Sequence, residues 1–186
     1  MKRVYIVHGY TGCPDKNWFP WLKSELEKLG VSVVVPAMPN TNEPKLKEWL
    51  PHLQQTIGAP DSDMFLVGHS LGCPTILRYL ESLENNQYVG GALLVAGFAE
   101  PLPHLTELDS FTTAPWKEEY ARNRTEKLFI LNSDDDEAVP FFNAEHVRDR
   151  FNAKLITVYG AGHINEKAGY SEVPFVLNEL KDMMGL

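Results

Sequence analysis

Residues 63–83 read DMFLVGHSLGCPTILRYLESL, and this stretch decides the architecture. Asp63–Val67 is a short apolar run of the kind a buried strand presents, and Leu71–Leu83 follows as a helix. Between them lies Gly68-His69-Ser70-Leu71-Gly72, a G-x-S-x-G pattern in the strand–turn–helix setting that it needs. The reason is steric. A serine that projects its hydroxyl above a sheet must occupy a strained turn, and residues without side chains on both sides let strand and helix pass close to it. The N–H of Leu71 then lies at a helix N-terminus, where no intrahelical acceptor exists, and is free to donate to a developing oxyanion.

The same alternation runs the length of the chain. Strands are expected at Arg3–Val7, Val31–Val35, Asp63–Val67, Gly91–Val95, Lys127–Leu131 and Lys154–Tyr159. Helices are expected at Trp18–Leu29, Pro44–Ile57, Leu71–Leu83, Ala144–Phe151 and Glu172–Met184, with Pro51 a possible kink or break in the second. Residues 97–125 read as irregular, with short helices at most, and as a small lid or pocket wall. Near-continuous apolar strands between amphipathic helices mean a parallel sheet covered on both faces. Ligands bind such sheets beyond the carboxyl ends of the strands.

The bulk properties set limits. The chain of 186 residues, 44% hydrophobic and 23% charged, reads as one domain, 1–186, with a substantial core. A net charge of −8 without a basic stripe argues against nucleic acid and anionic membranes as partners. No apolar stretch approaches the ~20 residues of a membrane span, and Val4–Val7 is too short for a secretory leader, so a cytoplasmic location is the default expectation. Cys13 and Cys73 are too few for a disulfide framework and lack metal-ligand spacing; Cys73 reads as a small buried filler. No cofactor is expected.

Three further strand ends carry chemistry. Gly160-Ala161-Gly162-His163 follows the sixth strand, where a histidine can reach Ser70 and act as its base. Ser133-Asp134-Asp135-Asp136-Glu137 follows the fifth. Four adjacent carboxylates repel, so one is expected to face His163 while the others face solvent or bond local N–H groups. A calcium loop would need spaced ligands and a glycine at the sharp turn, and neither is present. His8-Gly9-Tyr10-Thr11-Gly12 follows the first strand and, if strands one and three are neighbours, supplies the N–H of Tyr10 as a second oxyanion donor. It lacks the G-x-G-x-x-G spacing of a dinucleotide loop. His8 and His69 are expected to bond backbone groups and move no proton.

His8-Gly9-Tyr10, the stretch 17–22 (NWFPWL), 68–73 (GHSLGC), 133–136 (SDDD) with Pro140, and Gly162-His163 together resemble the retinoblastoma-binding-protein-9-like serine hydrolases, and within them the bacterial YdeN-type group. The resemblance spans nearly the whole chain. It implies a minimal α/β-hydrolase fold without a large cap, with six parallel strands in the order 2-1-3-4-5-6. It also implies a triad of Ser70, His163 and an acid four residues before the proline of D-x-x-V-P, which is Asp136 here, with Asp135 next in line. The expected reaction is acyl transfer to Ser70 and then to water, from a small acyl ester, thioester or amide. Trp18, Phe98 and Trp116, with Trp21 and Phe111, are the candidates for the pocket wall. The rival reading is a partner-binding module on the same fold with residual or no catalysis.

Overall fold

A computed structural model describes all 186 residues. Six strands form one parallel sheet in the order β2-β1-β3-β4-β5-β6: β1 Arg3–Val7, β2 Ser32–Val34, β3 Met64–His69, β4 Gly91–Val95, β5 Leu128–Ser133 and β6 Lys154–Val158. β3 and β4 are buried at every position, which is why they read as unbroken apolar runs rather than as alternating ones.

The six helices are α1 Phe19–Lys28, α2 Leu46–Ile57, α3 Gly72–Ser82, α4 Glu118–Arg122, α5 Phe142–Phe151 and α6 Pro174–Met184. They sort to the two faces by which strand residues they meet. On one face Val7, Leu66, Leu94 and Ile130 pack with Trp49 and Leu53 of α2, Ile76 and Leu80 of α3, and Val147 and Phe151 of α5. On the other, Ile6, Val67, Leu93, Val95 and Leu131 pack with Leu22 and Leu26 of α1 and Val176 and Leu180 of α6. Alternate residues of each strand therefore feed opposite cores, as the pleat requires.

Local chemistry accounts for the ends. α1 has Pro20 in its first turn, where a missing N–H costs nothing, and the chain leaves it through Gly30 at φ +78°. α2 runs unbroken through Pro51. Its buried stripe is Trp49, Leu53 and Ile57, one turn apart each, and Pro51 lies on the exposed side.

Residues 97–125 carry a 3-10 helix, Thr106–Phe111, and α4. They form a strap fastened to α3 rather than a lid. The buried Arg78 guanidinium donates to the carbonyls of Phe111 (3.0 Å) and Ala114 (2.6 Å), pairs with Glu81 (2.9 Å) and stacks on Trp116 at 3.5 Å. A desolvated cation satisfied at this many points fixes its surroundings, since releasing any one acceptor leaves charge unpaired.

Candidate active site

The carboxyl edges of β1, β3, β5 and β6 bring together the loops singled out in the sequence. Ser70 follows β3 at φ +53°, a left-handed conformation that β-carbon residues adopt only under local constraint. Its N–H is held by the Val95 carbonyl at 2.9 Å. The flanking glycines leave no alternative. A β-carbon on Gly72 would overlap the Val7 carbonyl oxygen, and one on Gly68 would lie 2.9 Å from the Cys73 nitrogen. The turn is thus wedged between β1 and the first turn of α3.

The N–H groups of Leu71 and Tyr10 donate to no acceptor within the protein. They flank Ser70 from the start of α3 and from the β1 loop, where Gly9 is so close that a β-carbon there would meet that of Ser70 at 3.0 Å. Two N–H groups without an acceptor thus lie on the loops to either side of the strained serine.

The third component is the loop after β6. His163 Nδ1 lies 2.8 Å from Asp136 Oδ2, and the Asp136 side chain is wholly buried. A carboxylate can only accept, so in the neutral ring it is Nδ1 that carries the proton and Nε2 that presents the lone pair. The other oxygen of Asp136 accepts from the N–H groups of Ala138 and Val139, both at 2.9 Å. Three hydrogen bonds within the protein therefore orient the carboxylate. Ser70 and His163 line one recess of about 190 Å³. Ser70 Oγ makes no hydrogen bond within the protein, and nucleophile–base contacts commonly tighten only in the complex with substrate.

Sequence reasoning missed how His163 is held. β5 and β6 leave the sheet side by side, with Ser133 opposite Val158. Four successive residues of one loop then bond four successive residues of the other. Ser133 Oγ accepts from Ala161 N–H (2.8 Å), Asp134 from Gly160 (2.8 Å) and Asp135 from Gly162 (2.7 Å), while Asp136 takes His163 itself. All three spare acids are exposed, as expected; Asp134 and Asp135 also bond N–H groups, across the loop pair rather than locally, while Glu137 bonds none. The Ser133 hydroxyl, and after it the Gly162 N–H, hold the Asp135 carboxyl below its ordinary range. The signal in the sequence was the pairing of an acidic run with a Gly-Ala-Gly run of equal length.

Behind His163, the ring of His69 donates from Nε2 to the His163 carbonyl at 3.0 Å, and Trp18 Nε1–H donates to the Ile164 carbonyl at 2.8 Å. Burial, and then the charge of His163, pulls His69 down to about 3, so it is neutral at neutral pH. His8 accepts from Met38 N–H at Nε2 and therefore donates from Nδ1 to Gly9, with burial holding its pKa low. Both rings are thus tied to backbone groups.

The aromatic candidates for a pocket wall lie elsewhere. Trp18, Phe98 and Phe111 are 0%, 1% and 0% exposed, Trp116 is 7% exposed, and none lines the recess. Trp18 is a strut under the His163 loop, Trp116 is the plate on which Arg78 stacks, and Phe98 fills the α3-side core. Half-buried Trp21 packs at the edge of the opposite core. Their apolar surface had a stronger claim on the core than on a cleft. The recess is instead polar, with Lys16, Asn17, Asn165 and the Gly9–Gly12 loop around Ser70 and His163. Cys73 is buried with its thiol on the Val95 carbonyl, and burial pushes its pKa up. No group of three or more His, Cys, Asp or Glu side chains is placed to hold a metal ion, and no helix is long and apolar enough to cross a membrane.

A six-stranded parallel sheet in this order, with a serine on a strained turn after its third strand, is the α/β-hydrolase fold. The serine hydrolase family model matches residues 4–182, and the chain belongs to that family. It is 38% identical over 179 residues to YdeN of Bacillus subtilis (strain 168), covering 96% of this chain and 94% of that one. It is 26% identical over 165 residues to serine hydrolase RBBP9 of Rattus norvegicus, covering 87% and 86%. The crystal structure of the B. subtilis ydeN gene product superposes over the whole of both chains with a TM-score of 0.96 at 36% identity. Est1E from Butyrivibrio proteoclasticus, solved with ferulic acid bound, shares the fold at a TM-score of 0.77 and 17% identity, over 99% of this chain and 88% of that one.

Proposed function

We propose that the protein hydrolyses short acyl esters through an acyl-enzyme on Ser70, with His163 as general base and Asp136 as its orienting acid. The observation that carries this is one recess shared by Ser70, on its strained turn, and a histidine whose Nδ1 is tied to a buried carboxylate. Ser70 Oγ attacks the carbonyl carbon as its proton passes to His163 Nε2. The negative charge forming on the carbonyl oxygen is received by the N–H groups of Leu71 and Tyr10. Collapse breaks the bond to the leaving alcohol, which takes the proton from His163. Water repeats the sequence and releases the acid. Asp136 keeps the tautomer and stabilises the imidazolium without accepting the proton.

The recess of about 190 Å³ is smaller than the ~300–1,000 Å³ of pockets for drug-sized ligands, which favours acetyl to butyryl groups over long chains. The same machinery serves thioesters and amides, and the leaving group decides between them.

The test is labelling with a neutral fluorophosphonate followed by peptide mapping. Modification of Ser70, lost in Ser70→Ala and His163→Ala, is the expected result, with kcat on a butyryl ester falling on the order of 10⁴–10⁶ in each variant. A folded wild type that takes no label, or a Ser70→Ala enzyme that keeps most of its activity, refutes the assignment and leaves a binding module on this fold. Faster turnover of palmitoyl than of acetyl or butyryl esters refutes the short-chain preference.

A further inference from the structure

The recess around Ser70 has a one-sided chemistry. In a chain with 25 Asp and Glu against 17 Lys and Arg, none of its ten lining residues is acidic. Lys16 lines it and forms no ion pair or side-chain hydrogen bond within the protein. Two asparagines line it as well, and both are turned the same way. Asn17 Oδ1 accepts from the Glu166 N–H at 3.2 Å, and Asn165 Oδ1 accepts from the Ala168 N–H at 2.9 Å. An N–H can be met only by the amide oxygen, so the orientation of each amide is forced and each Nδ2 is left over as a pair of free donors. With their acceptors engaged in the protein, the asparagines offer the recess donors only. Of the acids around it, Asp136 is engaged with His163 and Asp135 with Ser133 and Gly162, while Glu137 lies outside it, on the adjoining recess that shares His163 and Asn165.

One unpaired cation, two amides with their donors free and no acidic lining make a poor seat for an alkyl chain and a good one for an oxyanion. We infer that the substrate carries a carboxylate a few bonds from the scissile ester, and that Lys16, with Asn17 and Asn165, receives it. This rests on Ser70 being the nucleophile. It makes Lys16 a specificity determinant, and the substrates half-esters of short dicarboxylic acids or acyl esters of small hydroxy acids.

The experiment compares matched pairs that differ only in the charge. Ethyl hydrogen glutarate is set against ethyl pentanoate for a carboxylate on the acyl side, and 3-(butanoyloxy)benzoate against its methyl ester for one on the leaving side. Each kcat/KM is normalised to the hydroxide-catalysed rate. Wild type should favour the charged member of at least one pair by about fivefold, the scale of a single solvent-facing ion pair, and raised salt should erode that preference. Lys16→Met should abolish it and Lys16→Arg should keep it. Because the readout is a ratio within one protein, a general loss of activity in a variant cancels. Wild type favouring the neutral member in both pairs overturns the inference, as does a preference that survives Lys16→Met. Parallel fluorophosphonate labelling separates the two failures: Ser70 labelled but no charge preference defeats only the carboxylate site, whereas no label defeats the nucleophile assignment and this site with it.

Discussion

Replacing Ser133 by alanine tests whether the paired loops position His163 or merely decorate the sheet edge. Ser133 is fully buried; its Oγ accepts from the buried Ala161 N–H at 2.8 Å and donates to Asp135 at 2.6 Å. Ser133→Ala removes one methyl-sized polar group and opens no large cavity. The cost is the stranded N–H of Ala161, about 1–3 kcal/mol for a buried donor left without a partner. The lost bond is two residues from His163, between its neighbours at Asp134–Gly160 and Asp135–Gly162, so the loop that carries the base loosens where it leaves β6. Misplacing a catalytic group by an ångström costs up to about 10²-fold, and a partial loosening should slow labelling of Ser70 by about tenfold. Urea unfolding measures the first effect and the rate of fluorophosphonate labelling under native conditions the second. Ile57→Val, on α2 in the opposite core, is the control, with a stability loss of about 0.5–1.5 kcal/mol and no change in labelling. If Ser133→Ala loses stability but labels within twofold of wild type, the ladder of bonds is structural only and the positioning argument is wrong.

Gly72→Ala should give little or no folded protein, a loss above about 4 kcal/mol, because the new β-carbon overlaps the Val7 carbonyl oxygen and lies 2.8 Å from its carbon in a rigid β1–α3 contact; a soluble variant with wild-type melting temperature contradicts the packing. His69 is held neutral down to about 3 in the fold but binds a proton near 6.5 when unfolded, so the unfolded chain holds the extra proton between those values and stability falls as pH drops from 6.5 towards 3. His69→Gln should flatten that part of the stability–pH curve relative to wild type, and an unchanged slope means that His69 is protonated in the fold. Under native conditions a maleimide should modify the half-exposed Cys13 and spare Cys73, which reacts only after unfolding; rapid native labelling of Cys73 contradicts its burial.

The sheet was legible because burial on both faces writes apolar runs, and all six expected strands form within a residue or two of their expected bounds. β3 extends to His69 and β5 to Ser133 because polar residues at the carboxyl end can still ladder with a parallel neighbour, which composition does not signal. Pro51 illustrates the opposite error. A proline reads as a break, yet with Trp49, Leu53 and Ile57 buried along one stripe the tertiary contacts outweigh one missing backbone bond. The tryptophans and Phe98 show a deeper limit. An aromatic side chain looks the same in sequence whether it lines a cleft or fills a core, and only the packing of the strap under Arg78 and of Trp18 under Ile164 tells them apart.

The acidic run posed the hardest question in the sequence, and its geometry follows from one register. Since Ser133 pairs with Val158, the two chains leave the sheet level with each other and remain within hydrogen-bond reach for three further residues. Four successive anions in isolation would repel, but the facing loop meets two of them with N–H groups, Gly160 at Asp134 and Gly162 at Asp135, while Ala161 N–H goes to Ser133. Gly160 and Gly162, at φ +66° and +54°, supply the left-handed turns that aim those groups across the gap. Asp134 and Asp135 each take one N–H, and only Asp136, where the loop turns back under Ala138 and Val139, is buried against the imidazole. Which aspartate meets His163 is thus set by counting outward from the β5–β6 register. Inserting or deleting one residue between Ser133 and Asp136 would put the carboxylate out of step with the ring even with every acid retained.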